Sequence, residues 1–122
     1  MSRALTLLAA MTLFAAVSAR AADAGPGEAL QRCEICHTLN AGGPAKVGPN
    51  LHGVYGRKAG TAPGFTFSSA MKNSGIVWDD DSLVKFLRDP KAAVPGNRMS
   101  FPGIADEAVL GDLLARLKQA TQ

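Results

Sequence analysis

Cys33-Glu34-Ile35-Cys36-His37 holds both cysteines of the chain and one of its two histidines. In a helical turn, residues three apart share one face, so both thiols would project from the same side. The adjacent imidazole then lies one residue further on. This spacing is the attachment signature of c-type haem. The two thiols add to the two vinyl groups on one porphyrin edge and become thioethers. The histidine supplies the proximal axial ligand. A chain tied to a flat apolar plate at three points must fold around that plate.

Other uses of these residues stay behind that reading. A redox dithiol belongs in a βαβ setting, and the chain shows no strand pattern. A structural zinc site could recruit Cys33, Cys36, His37 and His52. However, Cys36 and His37 are direct neighbours and the usual second ligand pair is missing. A disulfide across so short a loop would gain little.

The N-terminus reads as an export signal. Ser2-Arg3 gives a short basic start, Ala4 to Val17 is almost wholly apolar, and Ala19-Arg20-Ala21 is a small-residue cleavage site. The apolar run is short for a membrane span. Residues 1–21 are therefore expected to be a cleaved secretory signal peptide, and 22–122 one domain delivered to the periplasm. That oxidising compartment suits the cysteines. Loss of Arg3 and Arg20 lowers the formal charge of +3 to +1. No concentrated basic face for nucleic acid is evident.

The remaining chain reads as all-α, a few helices joined by long Gly/Pro loops. Gly25-Pro26 opens a first helix that runs into Cys33. Residues 40–54 and 58–67 read as loop. Ser68-Ser69 can cap a short helix through Met71 and Lys72. Asp79-Asp80-Asp81 places carboxylates at a helix start. That helix carries Leu83, Val84, Phe86 and Leu87 and ends at Asp89-Pro90. Pro90 to Gly103 reads as one long loop. Val109, Leu110, Leu113, Leu114 and Leu117 form a helical stripe from about Asp106 to Ala120. Loops this long are unusual unless they serve something. Wrapping a large planar cofactor would account for them.

A six-coordinate iron needs a second axial ligand. His52, Met71 and Met99 are the candidates in the mature chain. Met71 in a short helix reads as core filler, and His52 as an exposed loop histidine. Met99 lies in a Pro/Gly-rich loop far from His37 in sequence. Its soft thioether would favour ferrous iron.

Several further segments now complete a pattern. They are Gly48-Pro49-Asn50-Leu51-His52-Gly53, Gly56-Arg57-Lys58-Ala59-Gly60, Trp78, Leu87-Arg88-Asp89-Pro90-Lys91, Val94 to Phe101 and Asp112 to Lys118. Together with the Cys-x-x-Cys-His motif the chain resembles a class I c-type cytochrome of the mitochondrial-like bacterial kind, over essentially the whole mature length. The resemblance implies the small cytochrome c fold around one covalently attached haem c. It implies Met99 as sixth ligand, with iron held by His37 and Met99. It implies that the Pro49 carbonyl accepts the other ring N–H of His37, and that Arg57 and Trp78 hold a haem propionate. It places Gly25 and Leu113 at a crossing of the terminal helices, and Phe101 near the haem edge.

The departures are specific. Phe67 and Phe86 stand where the family often has tyrosines, so two hydroxyl donors are missing. Met71 stands where mitochondrial relatives often have asparagine. Ala29 and Arg116 replace an aromatic pair at the helix crossing. Arg32, Lys46, Lys91 and Arg98 match basic rim positions, but Ala92, Ala105 and Asp106 thin that ring, so steering of partners would be weaker. The implied function is a monomeric one-electron carrier, not an enzyme. It would serve donor and acceptor proteins of a respiratory or photosynthetic chain that dock transiently near those four residues. A weak Met99 bond would instead point to a haem enzyme or gas sensor. A large exposed apolar patch would point to a fixed subunit of a complex.

Overall fold

The order of elements follows from where the sequence supplies caps. In the computed structural model, which describes Gly25 and residues 27–122, there are five helices: α1 Glu28–Glu34, α2 Ser69–Lys72, α3 Asp80–Arg88, α4 Pro90–Ala93 and α5 Glu107–Ala120. Among the described residues the strand pairing amounts to one isolated antiparallel bridge, Lys58 to Val77. The all-α expectation holds. The expected signal peptide and Pro26 lie outside the described residues. No helix described is long and apolar enough to cross a membrane.

Helix α1 begins later than the Gly25-Pro26 signal implies. Gly27 is its N-cap, at φ 91, a left-handed conformation that glycine adopts without a Cβ penalty. Its N–H donates 2.9 Å to Asp112 Oδ2 of α5, so one helix start is satisfied by another helix's side chain. The close approach expected at Gly25 is absent, since a Cβ there would meet nothing nearer than 4.0 Å. Ala29 and Leu113 are buried instead, at 3% and 1% exposure, and α1 packs on α5.

Helix α3 carries a capping box. Asp79 accepts from the Ser82 N–H at 2.8 Å, and Ser82 Oγ accepts from the Asp79 N–H at 2.9 Å. Asp80 and Asp81 fill the first turn, where the macrodipole favours them. At the other end Asp89 does two jobs. It closes α3 and then caps α4, accepting from the Ala92 N–H at 3.2 Å, with Pro90 at a first-turn position. The expected loop from Pro90 to Gly103 therefore starts as a short helix. The helix starts at Ser68 and Asp106 are as the sequence implies, and both side chains cap their helices.

The core runs from Ala29 on α1 through Leu83, Phe86 and Leu87 on α3 to Leu110, Leu113, Leu114 and Leu117 on α5. Helix α3 contacts both α4 and α5. The chain's end is pinned as well. Thr121, 1% exposed, accepts the Gly53 N–H at 2.6 Å and donates its hydroxyl to Leu117 at 2.7 Å. That bond holds the long loop after Cys36 against the helical layer.

Asp112 makes a pH prediction. Its hydrogen bond from Arg116 Nε, 2.8 Å, and then that from Gly27 hold its carboxyl below the usual 3.8. A depressed folded pKa means the stability is complete above the unfolded value and is lost as pH falls through the folded one. Asp112→Asn should lower the urea midpoint at neutral pH. The gap to wild type should close as pH falls from the usual carboxylate value through the lowered folded one. A gap independent of pH would show that the charge at Asp112 contributes nothing.

Candidate functional site

Helix α1 delivers Cys33, and the next turn delivers Cys36 and His37. The α-helix itself stops at Glu34, so Cys36 lies just beyond it. The Cys36 and His37 N–H groups both donate to the Cys33 carbonyl, at 3.1 and 2.9 Å, which keeps the turn helical enough to hold both thiols near one another. Both cysteines are free and half-buried. The Cys33 thiol donates 3.5 Å to the Ala29 carbonyl, and burial raises its pKa.

His37 is fixed from two sides. Its Nδ1–H donates 2.7 Å to the Pro49 carbonyl, which sets the tautomer and leaves Nε2 unprotonated. Nε2 makes no hydrogen bond among the described residues. Burial pushes the imidazole pKa down, the Pro49 bond opposing, so the ring is neutral near pH 7. The second constraint is Gly48. A Cβ there would sit 2.7 Å from His37 Nδ1, closer than real Cβ contacts come.

The Pro49 carbonyl is itself held. Asn50 Nδ2 donates to Thr38 Oγ1 at 2.7 Å and to the Asn40 carbonyl at 3.0 Å, while its Oδ1 accepts from the His52 N–H at 3.1 Å. Arg57 donates to the Asn50 and His52 carbonyls from the other side. Asn50 was legible only as part of a segment, because nothing in its own spacing signals a clamp.

Met99 reaches the site from the opposite end of the chain. Asn97 organises its approach. Asn97 Nδ2 donates to the Pro90 and Val94 carbonyls at 2.8 and 2.9 Å, and its Oδ1 accepts from the Met99 N–H at 2.9 Å. Sequence reasoning passed over this residue. Its signal was the unrecognised α4, whose end Asn97 grips.

These pieces line one cavity of about 520 Å³. Cys33, Cys36, His37, Pro49, Arg57, Trp78 and Met99 all contribute to its wall. So do Phe67, Phe86 and Met71, and the lining is overwhelmingly apolar. The volume is in the range of cofactor sites. Trp78 is 8% exposed and packs against Phe86 with ring centroids 5.2 Å apart. Its backbone is paired to Gly56 and Arg57, at 2.7 and 3.0 Å, which brings Trp78 beside Arg57. The indole N–H donates to no described residue. His52 does not line this cavity, and no three His, Cys, Asp or Glu side chains among the described residues converge to hold a metal ion. The zinc alternative therefore has no geometry behind it.

The four rim cations are all exposed but unequally engaged. Lys46 Nζ donates 2.6 Å to the Glu34 carbonyl at the end of α1. Arg98 Nη2 donates 3.0 Å to the Thr66 carbonyl. The Arg32 guanidinium lies 5.6 Å over the Phe101 ring centroid. Lys91 alone of the four makes no hydrogen bond or cation–π contact among the described residues.

Against known proteins, no family model matches the chain. Individual relatives do. It is 46% identical over 102 residues to cytochrome c2 of Blastochloris viridis, covering 83% of this chain and 80% of that protein. It is 48% identical over 97 residues to cytochrome c2 iso-2 of Magnetospirillum fulvum, covering 80% and 98%. It is 50% identical over 90 residues to cytochrome c of Theileria parva, covering 74% and 77%. The chain belongs to the class I c-type cytochromes.

Gly48→Ala tests the packing around His37. Overpacking of this kind costs about 1–3 kcal/mol. The variant should unfold at lower urea concentration and lose the slowly exchanging Nδ1–H proton signal in NMR. Retention of that signal with an unchanged midpoint would mean the glycine is not required for the histidine's position.

Proposed function

We propose that the protein is a one-electron carrier with a single haem c. The observation that carries this reading is the convergence of Cys33, Cys36, His37 and Met99 on one apolar cavity from opposite ends of the chain. The residues present fit the group. The cavity walls are apolar, as a porphyrin face requires, and two free thiols stand on the same turn as a neutral imidazole. An indole N–H without a protein partner and a partly used guanidinium stand together at another wall.

When bound, haem c supplies a one-electron ferric/ferrous couple. Cys33 and Cys36 would hold it through thioethers, and His37 and Met99 would hold its iron. Pro49 would make the imidazole more electron-rich by accepting its Nδ1–H. The Met99 thioether would favour the ferrous state and raise the potential. Arg57 and Trp78 would face a propionate. Arg57 has five N–H donors and spends two bonds on carbonyls, so donors remain. Phe67 and Phe86 carry no hydroxyl, so neither offers a hydrogen bond to that carboxylate or to the thioether.

Partner proteins would dock transiently at the cavity edge near Arg32, Lys46, Lys91 and Arg98. Respiratory or photosynthetic complexes and periplasmic dehydrogenases are the partner classes. Residues 1–21 would be removed on export, and the mature monomer would work in the periplasm. The basic start, apolar run and Ala-Arg-Ala site support that location.

Two measurements test this. Optical spectra of the oxidised, reduced and carbon monoxide-treated protein should show low-spin iron that carbon monoxide leaves unchanged. Met99→Ala should convert readily to a carbonyl complex. Rapid carbonyl formation in the wild type would overturn the carrier reading in favour of ligand binding. Intact mass and N-terminal sequencing of the exported protein should place its first residue at Ala22. A mature chain that keeps Met1 would contradict the signal peptide.

A further inference from the structure

The segment that carries Met99 is anchored firmly at its ends. Asn97 holds the start through three hydrogen bonds, and the Ile104 N–H donates 2.9 Å to the Leu87 carbonyl at the finish. Between those anchors its own backbone supplies one local bond, Phe101 N–H to the Met99 carbonyl at 3.0 Å. Two side-chain ties leave this stretch for other parts of the chain. Arg98 reaches across to the Thr66 carbonyl, 32 residues away in sequence. Phe101 lies under Arg32 from the last turn of α1. The ties run to different walls of the same cavity, one to the 60s loop and one to α1, and all four of these residues line it.

We propose that Arg32 and Arg98 are positioning residues that strap the Met99 segment shut across the cavity mouth. The proposal rests on the reading of Met99 as the sixth ligand. It gives the two arginines a role beyond docking charge. Neither forms an ion pair among the described residues, so each guanidinium's partners within the protein are the strap contacts themselves. Both are exposed, so each strap is weak on its own. A weak, two-sided closure suits a ligand that must stay bound through redox cycles without a rigid loop. It also explains why a rim with few lysines keeps arginines here. Arginine's planar fork stacks on a ring better than a lysine does, while either cation can donate to a carbonyl.

The test uses the haem-loaded ferric protein. Imidazole competes with Met99 for the sixth site, and its binding is read from the loss of the methionine-ligated optical signature. Amide hydrogen exchange at Met99 and Phe101 is read in parallel. Arg98→Ala should tighten apparent imidazole binding by about 3- to 10-fold, the worth of one exposed charged hydrogen bond. Arg32→Ala should tighten it by about 2- to 5-fold. The double variant should show roughly the product, because the straps hold separate walls. Arg98→Lys should recover most of the wild-type behaviour, while Lys85→Ala, an equal loss of charge elsewhere, should change nothing. Exchange at Met99 and Phe101 should quicken in step with imidazole affinity.

Wild-type imidazole affinity and unchanged exchange in both alanine variants would overturn the proposal. An equal effect of Lys85→Ala would overturn it too, since net charge would then be the cause. A wild-type protein without methionine ligation would instead remove the sixth-ligand reading. The exchange rates would still decide whether the straps exist.

Discussion

The hydrogen bond from His37 Nδ1 to the Pro49 carbonyl organises the long loop that the helices alone would leave unsupported. It joins the turn after α1 to a backbone segment with no regular structure. A carbonyl can orient the imidazole only if it is itself immobile, and several ties make it so. Asn50 binds Thr38 and Asn40, Arg57 binds the carbonyls at 50 and 52, and Gly53 is tied to Thr121 at the end of α5. The imidazole's orientation is therefore referred, through a chain of backbone bonds, to the helical layer. Gly48 completes the arrangement by letting the backbone lie where a Cβ would displace the ring.

The same economy governs the other donors. Asn50, Arg57, Lys46, Asn97 and Arg98 each give side-chain N–H groups to backbone carbonyls in loops or at helix ends. Long loops carry many carbonyls that no helix satisfies, and a buried one left unpaired costs about 1–3 kcal/mol. Side chains do the work that a ladder of strands would do elsewhere. This lets a chain with short helices keep a large apolar cavity whose lining is shared between helices and irregular loops.

How much of this was legible in the sequence depended on whether the signal was local. The helical turn from Cys33 to His37, the caps at Ser68 and Asp79, the helix start near Asp106 and the stripe on α5 are statements about neighbours in sequence, and the structure follows them. Helix α4 was missed because the residues after a proline look like loop, yet Asp89 before it is a cap and Pro90 is well placed at a helix start. The start of α1 was misplaced because its real partner, Asp112, is 85 residues away. Asn97 and Asn50 went unrecognised for the same reason. Their partners are carbonyls, which every residue has, so nothing in the sequence singles them out.

The identity of the cavity wall also bears on the chemistry. Phe67 and Phe86 present rings without a hydroxyl to this cavity, Phe67 edge-on against Phe65 and Phe86 tilted against Trp78. Met71 adds a third apolar side chain. Trp78 and Arg57 share the cavity lining with a few other side-chain donors, Lys58, Thr66 and Ser68 among them. A carboxylate buried against this lining would depend on those few groups, because an apolar wall offers nothing to offset the loss of water. Trp78 is in turn placed by backbone pairing with Arg57. The two donors are thus held side by side. The bridge between Lys58 and Val77, slight as secondary structure, is what keeps them together.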